Sequence, residues 1–330
     1  ISSDILWIIY YYSTKFIFYI MFITQALNFN TDWWRYLLGF IIIFIFWQII
    51  GGFPLFVAMI VNLDLSNLET IENVNVLLSN IESKNLVLFL LMLTFLFGFI
   101  GLYFVVKNLH QQDFKSIITS RYRIDYKKIL HSFLVIFTIN SLMIFISYAI
   151  SPESFVYNFE LEPFLILLSI CIFLLPIQTT FEELLVRGYL LQGVGIAFRS
   201  RAAAFIIPSI IFGLLHIFNP EIEKLGYGFL VAYVLMGVVW GIFTLMDDGN
   251  ELAIGAHYAN NLVVFLFLTA DWHAIQTNAV FISTEEPTIL SMMIPMFVYY
   301  PILIYYFSKK YNWKNWSEKL FGKIEIEDES

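Results

Sequence analysis

Phe181-Glu182-Glu183-Leu184-Leu185-Val186-Arg187 follows directly on one of the most apolar runs in the chain, residues 161–181. Charged groups are expensive in hydrocarbon, so a Glu, His or Arg set among such neighbours marks a functional site before anything else. Two further polar clusters interrupt apolar sequence downstream, Phe212-Gly213-Leu214-Leu215-His216 and His257-Tyr258-Ala259-Asn260-Asn261. Together they supply a carboxylate, two imidazoles and a carboxamide, the groups needed to activate a water and steady an oxyanion.

Composition decides what surrounds these clusters. Of 330 residues, 59% are hydrophobic and only 13% charged, and the mean hydropathy is +0.77, beyond the range of a soluble domain. Apolar runs at 5–27, 36–61, 86–106, 129–150, 161–181, 203–218, 227–246, 252–270 and 289–307 lie near the ~20 residues a spanning helix needs. The reading is an all-α polytopic integral membrane protein with about eight or nine transmembrane helices. The longest polar stretches, 62–85, 107–128 and 308–330, are too short for a soluble catalytic domain, so any chemistry belongs in or beside the bilayer. The chain opens on Ile1, which is compatible with a lost signal or a further segment. The 5–27 run carries Lys15 and is too long for a signal-peptide core, so a helix is expected there. Cys171, the single cysteine, has no internal partner and is expected to pack.

Lys and Arg are retained in short cytoplasmic loops. Lys107, Lys115, Arg121, Arg123, Lys127 and Lys128 fall in 107–128, and Lys309, Lys310, Lys314, Lys319 and Lys323 in the tail, whereas 62–85, 151–162 and 271–288 carry Lys84 as their one basic residue. Alternation is satisfied by nine helices with the N-terminus outside and the C-terminus cytoplasmic, in a bacterial-type inner (plasma) membrane. The net charge of −8 is divided between basic and acidic loops, and no basic aromatic surface points to nucleic acid. Trp33, Trp34, Trp313 and Trp316 suit interfacial belts. His110, His131 and His273 sit in or beside loops and are set aside, and the acidic ending Glu325 to Glu329 argues against a purely basic lipid anchor. No internal repeat or linker divides the chain. By content, residues 1–150 read as scaffold helices, 151–275 as the functional core, and 276–330 as a last transmembrane helix with a cytoplasmic tail.

Helical geometry sorts the polar residues. Glu183 and Arg187 are four apart and share a face, so they can neutralise one another. Glu182 points about 100° away and is left free for general-base work. An interfacial ion network with a snorkelling Arg187 is the plain alternative. His216 closes an apolar helix one turn after Phe212, where a histidine can equally be a packing residue. His257 and Asn261 again share a face, as an oxyanion-binding pair or as interhelical glue.

In their order on successive helices, Glu-Glu-x-x-x-Arg, Phe-x-x-x-His and His-x-x-x-Asn resemble the CPBP family of intramembrane proteases. That family includes the CAAX prenyl endopeptidases and the bacterial Abi or bacteriocin-processing proteins. The resemblance covers about 160–270 and makes 151–275 a CPBP/Abi-like catalytic core. It implies that Glu182 and His216 activate the hydrolytic water and that His257 and Asn261 stabilise the oxyanion. Glu183 and Arg187 would hold the Glu-bearing helix in place, with Phe212 in support. Glu182, His216 and His257 could also hold Zn²⁺ with one position open to water, making the protein a metalloprotease. The helical His-Glu-x-x-His arrangement is absent, so a metal is not required, and a glutamate mechanism is favoured.

The expected activity is an intramembrane endopeptidase of CAAX type. It would hydrolyse a peptide bond in a membrane-associated or lipidated polypeptide, with the lipid bilayer as its other partner. The competing readings are a non-proteolytic scaffold or subunit of a larger membrane complex, and a transporter with a proton relay. Hydropathy alone sets Glu182 and His216 at opposite ends of neighbouring helices. Joining them requires Pro176 or Pro208 to bend a segment, or residues Leu184 to Phe198 to re-enter the membrane, around a conical cavity open to the cytoplasm.

Overall fold

The computed structural model describes residues 21–63, 77–78, 80–273 and 275–326. Most of the 5–27 run, most of the 62–85 loop and the tail from Glu327 lie outside the described residues. Eight helical segments fill the remaining apolar runs: α1 (Trp33–Val61), α2 (Lys84–Leu109), α3 (Tyr126–Ile150), α4 (Leu161–Phe198), α5 (Arg201–Leu214), α6 (Tyr227–Asp247), α7 (Glu251–Phe267) and α8 (Ile289–Lys310). All but α5 and α7 are long and apolar enough to cross a bilayer. The protein is an all-α polytopic membrane protein, and the expected count of eight or nine holds only approximately. Large apolar side chains stand exposed along the outer helices, among them Ile49, Phe53, Leu142, Phe173, Phe297 and Tyr305, as a lipid-facing surface requires.

Loop pairing sorts the described loops into two groups. At one end, Arg121 pairs with Asp247 (2.7 Å) and Glu251 (3.0 Å), Lys128 with Asp247 (2.7 Å), and Lys319 with Asp248 (2.5 Å). These ties gather the 107–128 loop, the α6–α7 turn and the C-terminal segment. Arg121, Lys128 and Lys319 are therefore neutralised within the protein by acids of the α6–α7 junction. At the opposite end, β1 (Phe155–Tyr157) pairs antiparallel with β3 (Phe281–Ser283), Val156 facing Ile282. β2 (Leu268–Thr269) runs parallel to β3 on its other edge. Lys224 reaches Asp271 and Glu286 on the same side. Every described segment from α1 to α8 thus runs between the two ends in alternation.

The main departure from the sequence reading is in α4. Its apolar run was expected to end near Glu182, but the helix continues to Phe198. It breaks once, after Phe173, and restarts at Leu175 with Pro176 in the first turn, where the missing N–H costs nothing. Leu184–Leu190 then form a π-turn, which inserts one extra residue into the helical register and is a feature often found at functional sites. Gly188 lies in this turn. A Cβ there would sit 2.5 Å from the backbone oxygen of Ile117, so only glycine lets the 107–128 loop approach. Pro208, the other candidate for a bend, is accommodated inside a continuous α5.

Phe181, Leu184, Leu185, Val186 and Tyr189 of α4 pack with Trp47 of α1, Leu102 and Val105 of α2, Phe212 of α5 and Ile254 of α7. The π-turn of α4 is thus seated in an apolar cluster drawn from four neighbouring helices.

Candidate active site

The level of the site follows from a helical hairpin. Arg199, in the left-handed region at φ 48°, ends α4, and Ser200 caps α5 through its hydroxyl on the Ala203 N–H. Glu182 lies sixteen residues before Phe198 and His216 fifteen after Arg201, so at ~1.5 Å per residue both arms reach about 23 Å from the turn. The two residues that hydropathy had set at opposite ends are at one depth. α7 then adds His257 and Asn261.

Glu183 is fully buried and Arg187 1% exposed; Arg187 Nη1 donates to Glu183 Oε1 at 3.0 Å. The same carboxylate oxygen lies 2.7 Å from His257 Nδ1. The sequence reading committed Glu183 to Arg187 alone, whereas here it also orients a histidine. A carboxylate oxygen can only accept, so His257 Nδ1 carries a proton and Nε2 faces inward. That Nε2 lies 3.5 Å from Glu182 Oε2 and 3.2 Å from Asn261 Nδ2. Glu182 keeps 13% of its side chain exposed against 3% for His257, so the free carboxylate is the one that can be reached.

Phe212 is the hub of the apolar wall. Arg187 lies over its ring at 4.4 Å, His216 lies 4.8 Å from it, and His257 meets it edge-on at 6.1 Å. His216 Nδ1 donates to the Phe212 carbonyl at 2.7 Å, which leaves Nε2 as the nitrogen not engaged by the backbone. Among the described residues, no direct hydrogen bond joins His216 to Glu182.

Two residues of this site escaped the sequence reading. Gln178 accepts from Asn261 Nδ2 at 3.3 Å and stands beside the Glu182 carboxylate. The signal was its position four residues before Glu182, on the same helical face. Tyr233 of α6 stacks on His216 with ring centroids 4.0 Å apart, and its hydroxyl donates to Glu221. No spacing in the sequence links Tyr233 to His216. The histidines set aside lie elsewhere: His110 bonds Asn30 and Tyr189, His131 bonds Tyr306 and Tyr311, and His273 packs on Trp272.

The donor set for a metal does not assemble. Among the described residues, no group of three His, Cys, Asp or Glu side chains is disposed to hold an ion. His257 Nε2 faces Glu182 and Asn261, while the His216 ring is held by Phe212 and Tyr233.

Fold and site together define a polytopic helical membrane protein with a buried Glu-His-Asn centre. Residues 162–263, a span holding every member of that centre, match the family described as Type II CAAX prenyl endopeptidase Rce1-like, and over this span the chain resembles that family. The uncharacterized protein YyaK of Bacillus subtilis (strain 168) is 28% identical over 244 residues, 73% of this chain and 79% of the relative. No solved structure matches.

Proposed function

We propose that the protein is an intramembrane endopeptidase that cleaves a membrane-associated or lipidated polypeptide. The observation that carries this reading is the convergence of Glu182, His257 and Asn261, oriented by Glu183 and Arg187, inside the segment that matches a CAAX endopeptidase family. Glu182 and His216 Nε2 are the proton acceptors for a water lying between them. The water oxygen attacks the scissile carbonyl carbon as its proton passes to Glu182. The resulting oxyanion takes hydrogen bonds from Asn261 Nδ2 and from His257. When the tetrahedral intermediate collapses, the C–N bond breaks and Glu182 returns the proton to the leaving amine.

Charge balance supports the division of roles. Glu183 and Arg187 balance one another within the cluster, which leaves Glu182 as the carboxylate free to take up a proton. The residues before 151 are the enclosing scaffold, and the loops 107–128 and 311–324 face the cytoplasm by their Lys and Arg content.

The test is cleavage of a pooled library of membrane-anchored and lipidated peptides by the purified protein, wild type against Glu182→Gln, with and without a chelator. Cleavage by wild type that the substitution abolishes is expected, without chelator sensitivity. Folded protein with no cleavage would replace the proposal with a scaffold or complex subunit.

A further inference from the structure

Asn261 is one end of a hydrogen-bond chain that crosses three helices. Tyr299 of α8 donates its hydroxyl to Asn140 Oδ1 at 2.9 Å. Asn140 of α3 donates Nδ2 to Asn260 Oδ1 at 3.2 Å, and Asn260 of α7 donates Nδ2 to Asn261 Oδ1 at 3.2 Å. Asn261 Nδ2 then faces His257 Nε2 and Gln178 Oε1. Each link has its carbonyl upstream and its amine downstream, so the chain has a single direction.

A phenol at the far end fixes that direction. A carboxamide alone can be turned over, exchanging Oδ1 and Nδ2 at little cost. A phenol can also accept, but Asn140 is the one hydrogen-bond partner of the Tyr299 hydroxyl among the described residues, so only donation satisfies its proton; that commits the Asn140 amide, and each amide in turn commits the next. We propose that Tyr299, Asn140 and Asn260 are positioning residues that hold the Asn261 amide with its NH₂ toward the reacting centre. This rests on the reading of Asn261 as an oxyanion donor. Turned over, Asn261 would present an oxygen to the oxyanion and repel it. Pairing alone would explain why these groups are tolerated in a membrane, but not their common direction into the site.

The experiment compares the purified full-length chain with Asn260→Asp, Asn140→Asp and Tyr299→Phe, and with Asn260→Asp combined with Asn261→Ala. A carboxylate at 260 can accept from Asn140 but cannot donate to Asn261. The expected result for Asn260→Asp is a kcat lower by ~10- to 100-fold at unchanged KM, short of the ~10²- to 10³-fold that loss of an oxyanion donor itself costs. Lowering the pH protonates the new carboxyl and restores its donor, so the ratio of variant to wild-type kcat rises. In the Asn261→Ala background, Asn260→Asp has no further effect. A flat ratio with pH, a change confined to KM, or an additive loss would overturn the proposal.

A second measurement holds even if the wild type cleaves nothing, which would sink the endopeptidase reading instead. In protein labelled with ¹⁵N-asparagine, the Asn261 side-chain NH₂ signals, assigned by their loss in Asn261→Ala, should shift in Tyr299→Phe. Unmoved signals would show that no relay reaches Asn261.

Discussion

Arg187→Ala tests whether the buried ion pair is a structural fixture or a replaceable one. The substitution removes the guanidinium from Glu183, which is wholly buried, and leaves that carboxylate with His257 Nδ1 as its partner. Stranding one member of a buried pair costs about 3–5 kcal/mol, and loss of the contact with the Phe212 face adds ~1–2 kcal/mol. At ~2 °C per kcal/mol for a long chain, the midpoint of thermal unfolding in detergent should fall by roughly 8–14 °C. The pair itself is imperfect, since Glu183 Oε2 and Arg187 Nε and Nη2 are buried without a hydrogen-bond partner among the described residues. Replacing both charges by apolar groups of similar size, as in Glu183→Leu with Arg187→Met, should therefore recover most of the lost midpoint. Peptidase activity should not return, because His257 has then lost the acceptor that orients it. The assay is heat challenge followed by size-exclusion chromatography, run beside peptide cleavage. A single variant within about 1 °C of wild type, or a double variant less stable than the single, would refute the reasoning.

Three further outcomes follow from other parts of the structure. Gly188→Ala should lower the yield of folded protein and cost ~1–3 kcal/mol, because its Cβ would press on the Ile117 carbonyl; unchanged thermal stability would mean that the loop gives way freely. Burial holds His110 below the ordinary histidine range, so its contribution to stability is complete above about pH 6.5 and is lost as the pH falls below it. Comparing the unfolding midpoints of wild type and His110→Gln at pH 7.5 and pH 5 should show the larger acid-side drop in wild type. Tyr233→Phe keeps the ring stacked on His216 but removes the donor to Glu221, so the midpoint should fall while the pH profile of cleavage stays in place; a shifted profile would mean that the hydroxyl takes part in proton transfer.

Periodicity and hydropathy made eight segments legible because their apolar faces are long and uninterrupted. The end of α4 was misplaced for a physical reason. Glu182, Glu183 and Arg187 lower the local hydropathy as a loop would, yet they stay inside because Arg187 and His257 compensate Glu183 and His257 Nε2 lies 3.5 Å from Glu182. The Glu183–Arg187 contact was readable, being four residues apart on one helix. Its second half, Glu183 to His257, joins helices far apart in sequence, and no local pattern encodes it. Gln178 carried a signal in its spacing from Glu182, whereas Tyr233 carried none. The acids at 247, 248 and 251 that pair with Arg121, Lys128 and Lys319 were equally hidden, since a short turn gives no hint of its distant partners.

The pairing of Glu183 with Arg187 within one helix also bears on how the chain can be made. A segment entering the bilayer during synthesis meets the lipid before α7 exists to offer His257. A lone Glu or Arg at mid-membrane costs about 2.5–3.5 kcal/mol on insertion, and α4 carries three such charges. Because two of them cancel one turn apart, the helix can enter with much of its charge already compensated. The catalytic machinery is then completed from a segment that arrives later.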